Sequence, residues 1–146
     1  MPLKRQLPEC FNELHVDETA FVRWLHRKAM AHVHRDRRRG FQDLSVGLYK
    51  EQIFRAVEEA NGCDFYTGLN LDWKLISKWN NDDASTKGGD YKRKFWNLPT
   101  VDHENPRNPR SRLRLCSWRV NDAKNDQTIE EFLELAKAIR THRELA

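Results

Sequence analysis

Two short apolar runs in the second half of this chain each end in side chains that can do chemistry. The first, Leu98 to Val101, leads directly into Asp102 and His103. The second, Leu113 to Trp118, is followed by Asn121, Lys124 and Asn125. A carboxylate and two amides offer oxygen ligands to a hard cation, and a neutral imidazole beside them can take a proton from water. The loop between the runs carries Arg107 and Arg110, and Arg112 and Arg114 continue at alternate positions. An extended backbone would turn Arg110, Arg112 and Arg114 to one side, where guanidinium groups suit phosphate oxygens.

Asp-His closing one short strand, a return through a second, and N-x-x-K-x-D at residues 121–126 form a pattern that resembles the HNH, or ββα-metal, nucleases. The resemblance centres on residues 98–126 and extends more weakly back to Cys63. It implies that Asp102 is a metal ligand and His103 the base that activates water. It further implies that Asn121, at the start of a helix, is a second ligand and Asn125 a further one. Lys124 matches the lysine of the family's pattern and, with the loop arginines, would hold phosphate charge. The activity implied is divalent-metal-dependent hydrolysis of DNA phosphodiester bonds, with Mg²⁺ the favoured ion and Mn²⁺ a substitute. Two positions depart from the family. Its middle Asn should fall near Ser111 or Arg112, and no Asn stands there; Asn105 and Asn108 lie in another register. The four positions that carry a zinc ribbon in many relatives read Asp64, Thr67, Ser117 and Val120, so no structural zinc is expected. Packing of Phe65, Tyr66 and Trp118 is expected to close that knuckle instead.

Placing these side chains requires a scaffold, and the sequence predicts one that is largely helical. Asp17 is a helix N-cap, and Phe21, Leu25, Ala29 and His32 or Val33 repeat at helical spacing as far as about Arg38. Arg35, Arg37, Arg38 and Arg39 make the tail of that helix basic, a face that suits a phosphate backbone or simply water. A second helix is predicted over Val46 to Ala60, stopped by Asn61-Gly62. Leu71 to Trp79 reads as a short helix with Leu71, Leu75 and Trp79 inward, and Asn80 to Gly89 as a mobile polar loop. From Tyr91 to Trp96, Lys92, Arg93 and Lys94 stand between aromatics, which serves either nucleic-acid contact or core cover. Thr128 and Glu131 form a capping box for a last helix whose buried stripe would be Ile129, Phe132, Leu133, Ala136 and Ile139.

The whole is expected to be α+β and a single domain over residues 1–146. A helical part over 1–62 would pack on an HNH-like part over 63–146, with a small ββα unit at about 98–126 and a C-terminal helix. At 146 residues a sizeable core can be buried. The formal charge of +4 favours an anionic partner, expected to be double-stranded DNA. No apolar run approaches the ~20 residues of a membrane span, and no secretory signal stands at the N-terminus. Three scattered cysteines fit a reducing cytoplasm. Two competing readings keep the basic surface without turnover: a nucleic-acid-binding module with a degenerate site, and a protein-binding module for an acidic partner.

Overall fold

The longest element begins where its cap places it. The Asp17 carboxylate accepts a hydrogen bond from the Ala20 amide at 2.8 Å, and helix α2 runs Glu18–Arg38 after the short helix α1 at Phe11–Leu14. Phe21, Trp24, Leu25, Ala29, His32, Val33 and Asp36 are its buried face. Helix α3, Val46–Glu59, is capped by the Ser45 hydroxyl and buries Tyr49, Ile53, Ala56 and Val57 against α2. It stops at Asn61 and Gly62, both with positive φ. Its φ of +73° is what calls for glycine at Gly62, since the nearest contact a Cβ would make, 2.7 Å from the Leu14 Cδ1, is with a flexible side-chain end that can shift.

The computed structural model describes residues 7–78 and 89–144. Among these the fold is mixed helix and sheet, compatible with the α+β class, with a two-stranded antiparallel sheet. A 3-10 helix at Trp73–Ser77 and helix α4 at residues 89–94 lead into strand β1, Pro99–His103. Strand β2, Leu113–Ser117, pairs with it so that Asp102 faces Arg114 and His103 faces Leu113. Helix α5, Trp118–Lys124, follows without a break, and helix α6 spans Ile129–Glu144.

One core serves both halves of the chain. Phe11, Phe21, Trp24 and Trp73 form an aromatic cluster with ring centroids 4.7–6.2 Å apart. The Trp24 indole N–H donates to the Pro99 carbonyl at 3.2 Å, fixing β1 to α2. Val101, Leu113 and Leu115 extend the same cluster into the sheet.

Three expectations change. Between Leu71 and Trp79 the helix is 3-10 and confined to Trp73–Ser77; Leu71 is buried as expected, and the tighter turn buries Trp73 and Ile76 fully while Leu75 is half-buried. Trp79 and the polar stretch through residue 88 lie outside the described residues. Helix α6 forms on its Thr128–Glu131 box, with the Glu131 amide 3.2 Å from the Thr128 hydroxyl, but none of its residues is buried. The spacing of its apolar residues specified a face without specifying anything to cover it.

The knuckle is the third. Asp64 is buried, and its Oδ1 accepts from the amides of Tyr66 at 2.8 Å and Thr67 at 3.1 Å. Its Oδ2 accepts from the Ser117 amide at 2.8 Å, and the Ser117 hydroxyl caps α5 by accepting from Val120 at 3.1 Å. The four positions matched to a zinc ribbon are therefore joined by hydrogen bonds running from Thr67 to Asp64 to Ser117 to Val120. Packing does not close this turn: Phe65 is 42% exposed beneath the Arg114 guanidinium, and Tyr66 turns its hydroxyl to Asp102. A tight turn leaves amides in need of acceptors, which a carboxylate supplies and an aromatic ring cannot.

Asp64→Ala removes the acceptor of three backbone amides at once. It is expected to lower the unfolding free energy by about 2–4 kcal/mol, measured by urea denaturation, with Asp64→Asn recovering part of the loss. A loss under about 1 kcal/mol would mean that the amides find other partners.

Candidate functional site

Asp102 and His103 sit at the end of β1 with their side chains committed to different neighbours. The Asp102 Oδ2 receives the Lys124 ammonium at 2.8 Å and the Tyr66 hydroxyl at 3.0 Å. Lys124 is fully buried and also donates to the His103 carbonyl at 3.3 Å. The lysine therefore does not stand ready for a substrate phosphate. It binds the last turn of α5 to the end of β1 and neutralises the buried aspartate, because a cation on a helix that closes over the strand reaches a carboxylate before it reaches solvent. Burial, followed by the nearby Asp102 charge, holds the Tyr66 hydroxyl far above its ordinary pKa, so it stays a donor.

His103 Nδ1 lies 3.4 Å from the Ser111 carbonyl oxygen, which can only accept. That contact assigns the proton to Nδ1 and leaves the lone pair on Nε2, a buried nitrogen with no partner among the described residues. Burial lowers the pKa of the imidazole, against the opposing pull of the Ser111 carbonyl, Asp36 and Asp102, and keeps it neutral. Ser111 occupies the position where the family's middle Asn was sought. Its carbonyl orients the histidine, and its hydroxyl braces the loop by donating to the Asn105 carbonyl at 3.0 Å and accepting from the Asn105 amide at 3.2 Å.

A cleft of about 540 Å³ opens beside these groups. One wall comes from β1 and α5 and carries Asp102, His103, Asn121, Asp122, Asn125 and Asp126. The other comes from α2 and carries Lys28, His32, Arg35 and Arg39. Asp102, His103, Asn121 and Asn125 thus line the same cleft. Asn121 is in the second turn of α5 rather than at its start, because Ser117 is the cap. Asn125 ends the helix at φ 51°, a conformation asparagine tolerates better than most residues. Oxygen donors on one wall and cations on the other fit a hard divalent ion together with a phosphate. Among the described residues no group of three or more His, Cys, Asp or Glu side chains could hold a metal ion, so any ion here would depend on the amides and on water.

The predicted arginines divide. Arg35 and Arg39 face the cleft, while Arg37 and Arg38 line a separate shallow concavity with Ala31, His34 and Arg35. The loop arginines are engaged by the chain's own carboxylates: Arg107 by Glu131, Arg110 by Asp43, Arg112 by Glu59, and Arg114 by Glu59 and Glu104. Arg112 and Arg114 do share a side, but Glu59 of α3 already occupies it. Arg93 pairs with Asp90, and neither it nor Lys92 reaches the cleft.

Lys28 and His32 were missed as site residues. Lys28 donates to the Thr100 hydroxyl at 3.0 Å, and burial lowers its pKa to about 8. The His32 ring packs edge-on to His103 with centroids 5.2 Å apart and stacks on Tyr49, whose hydroxyl donates to Asp36. Its Nδ1 is buried without a partner among the described residues, and burial, then His103 and Arg35, hold its pKa down to about 3. On the helix both residues fall toward the apolar stripe, so helical periodicity alone files them as core. Comparison with protein-family models, curated proteins and solved structures found no match.

Two measurements follow from this geometry. Lys124→Met leaves a buried carboxylate unpaired and is expected to cost about 3–5 kcal/mol in chemical denaturation; a lysine that served only substrate would cost little. The second concerns pH. With folded pKa values below the ordinary histidine value near 6.5, His32 and His103 bind protons in the unfolded chain before they do in the folded one. The His32 contribution to stability is complete above about pH 6.5 and is lost as pH falls toward about 3, and His103 adds to the same loss below its ordinary value. Unfolding free energies from urea denaturation across that window should fall more steeply for wild type than for His32→Gln, by up to about 1.4 kcal/mol per pH unit.

Proposed function

We propose that this protein is a divalent-metal-dependent phosphodiesterase of HNH type acting on DNA. One observation carries the reading: Asp102, His103, Asn121 and Asn125 line a single cleft whose facing wall is cationic. A metal ion in this site would be held by Asp102 and the two asparagine amides and would offset charge on the scissile phosphate and the leaving oxygen. His103 Nε2, left unprotonated by the Nδ1 contact to Ser111, would accept a proton from the attacking water once the cleft opens enough to admit water to that buried nitrogen. Lys28, Arg35 and Arg39 hold the phosphate from the α2 side. Arg107, Arg110 and Arg112 sit in exposed ion pairs that are worth little in water, so they remain available to phosphate alongside the α2 cations.

A second reading has its own observation. The Lys124 ammonium lies 2.8 Å from Asp102, where it competes with a metal cation for that carboxylate. On this reading the cleft binds nucleic acid without turnover.

A digest of supercoiled and linear duplex DNA with Mg²⁺ or Mn²⁺, set against EDTA, separates the two. The nuclease reading expects cleavage that EDTA abolishes and that His103→Ala reduces by about 10²–10⁴-fold with DNA affinity nearly unchanged. Binding should weaken with salt at a log–log slope near −0.9 for each phosphate neutralised, and the combined change Arg35→Ala/Arg39→Ala should flatten that slope. Salt-sensitive binding without cleavage, identical in His103→Ala, would establish the binding module. No binding at any salt would defeat both readings.

A further inference from the structure

The row of cations on α2 continues past the lip of the cleft. At ~3.6 residues per turn, going round the helix from the cleft meets Arg39 and Lys28, then Arg35 and Ala31, then Arg38 and His34, and last Arg37. Arg35 and Ala31 line both the cleft and the shallow concavity on the outer side, so the two depressions share one rim. Ala31, His34, Arg35, Arg37 and Arg38 are all exposed, and no carboxylate lines the concavity. Among the described residues Arg35, Arg37 and Arg38 pair with no carboxylate, whereas Arg107, Arg110, Arg112 and Arg114 each pair with at least one. The other lip is opposite in sign. Asp122 and Asp126 stand exposed on the α5 wall, and Glu130 follows on α6.

The helix dipole favours cations in a last turn, but it does not call for a row that begins inside the cleft. A polyanion that fills the cleft has to leave it over one lip. Leaving over α5 sets phosphates against Asp122, Asp126 and Glu130. Leaving over α2 meets Arg35 at the rim, the small Ala31 beside it, and Arg38, His34 and Arg37 beyond. We infer that the outer face of α2 is a second contact for the DNA backbone, which crosses from the cleft over the Ala31–Arg35 rim. This rests on the proposed reading that the cleft takes DNA. Arg37 and Arg38 then each neutralise a phosphate outside the cleft, which adds salt-sensitive affinity and carries no base sequence. Only DNA long enough to pass the rim gains it.

Fluorescence anisotropy in EDTA reads affinity and salt slope without turnover, using labelled hairpin duplexes of about 5 to 16 base pairs at ~3.4 Å per pair. Wild type is expected to bind the long hairpins more tightly and with a steeper salt slope than the short ones. Arg37→Ala/Arg38→Ala should match wild type on the shortest hairpins. On the longest it should lose about 1.8 from the slope, so that its deficit in affinity shrinks ~10-fold between about 50 and 200 mM salt. Ala31→Glu, which sets a carboxylate on the rim, should lose the same gain, and Ala31→Lys should keep it. Lys92→Ala/Arg93→Ala removes equal charge away from the cleft and should keep it too. Three results would overturn the inference. The gain survives in Arg37→Ala/Arg38→Ala, which leaves those arginines to the helix dipole; or the Lys92 and Arg93 variant loses as much, which leaves net charge alone; or polyglutamate displaces a long hairpin as well as unlabelled DNA of equal charge, which makes the occupant an acidic protein. Short hairpins that bind while any of these holds keep the cleft reading intact. No binding at any length defeats both.

Discussion

A buried ion pair sets the geometry of the cleft. Lys124 and Asp102 belong to α5 and β1, and neither can leave the other without stranding a charge in the interior. The Tyr66 hydroxyl brings in the 63–70 turn as a third member. With Lys124 also bound to the His103 carbonyl, the strand end, the last turn of α5 and the knuckle hold one arrangement. The register of Asn121 and Asn125 over the cleft follows, since both lie on the short helix that Lys124 anchors.

The knuckle needs the same kind of account. A metal ion ties several chain segments to one point through strong, directional bonds. Asp64 does this with two oxygens and three amides, and the Ser117 hydroxyl passes the connection to α5. Each bond is weaker than a metal–ligand bond, but all lie in a buried turn where the alternative is an unsatisfied amide. A carboxylate is suited to this position because it can accept from opposite directions at once, which a hydroxyl or an amide oxygen does less well.

What could be read from the sequence follows the range of each interaction. Helix limits at Asp17, Val46 and Asn61-Gly62 depend on contacts three or four residues apart, and these were legible, although the Ser45 cap was not. The convergence of Asp102, His103, Asn121 and Asn125 could be read only through the resemblance, because no local rule joins residue 102 to residue 121. Three properties escaped. Lys28 and His32 carry the same spacing as core residues, and only the position of β1 beside α2 turns them into cleft wall. The loop arginines looked free because their carboxylate partners, Asp43, Glu59, Glu104 and Glu131, mostly lie far away in the chain. Burial of the α6 stripe was inferred from periodicity, which records that a face is apolar but not what meets it.

Ser111 bears most directly on whether the cleft could turn over substrate. An asparagine at this position would orient the histidine and brace the loop with one side chain. Here the two tasks are divided between the Ser111 carbonyl, which meets His103 Nδ1, and its hydroxyl, which closes on Asn105. The carbonyl would be present whatever residue stood there, so orientation of His103 depends on the loop's backbone path and not on an amide side chain. The hydroxyl keeps the loop on that path. The functional requirement is therefore a small hydrogen-bonding residue that can reach Asn105, a condition serine meets. On the proposed reading, the missing asparagine is therefore not by itself a reason for His103 to be idle. The stronger opposition to turnover comes from Lys124, whose charge sits where a metal would have to share Asp102.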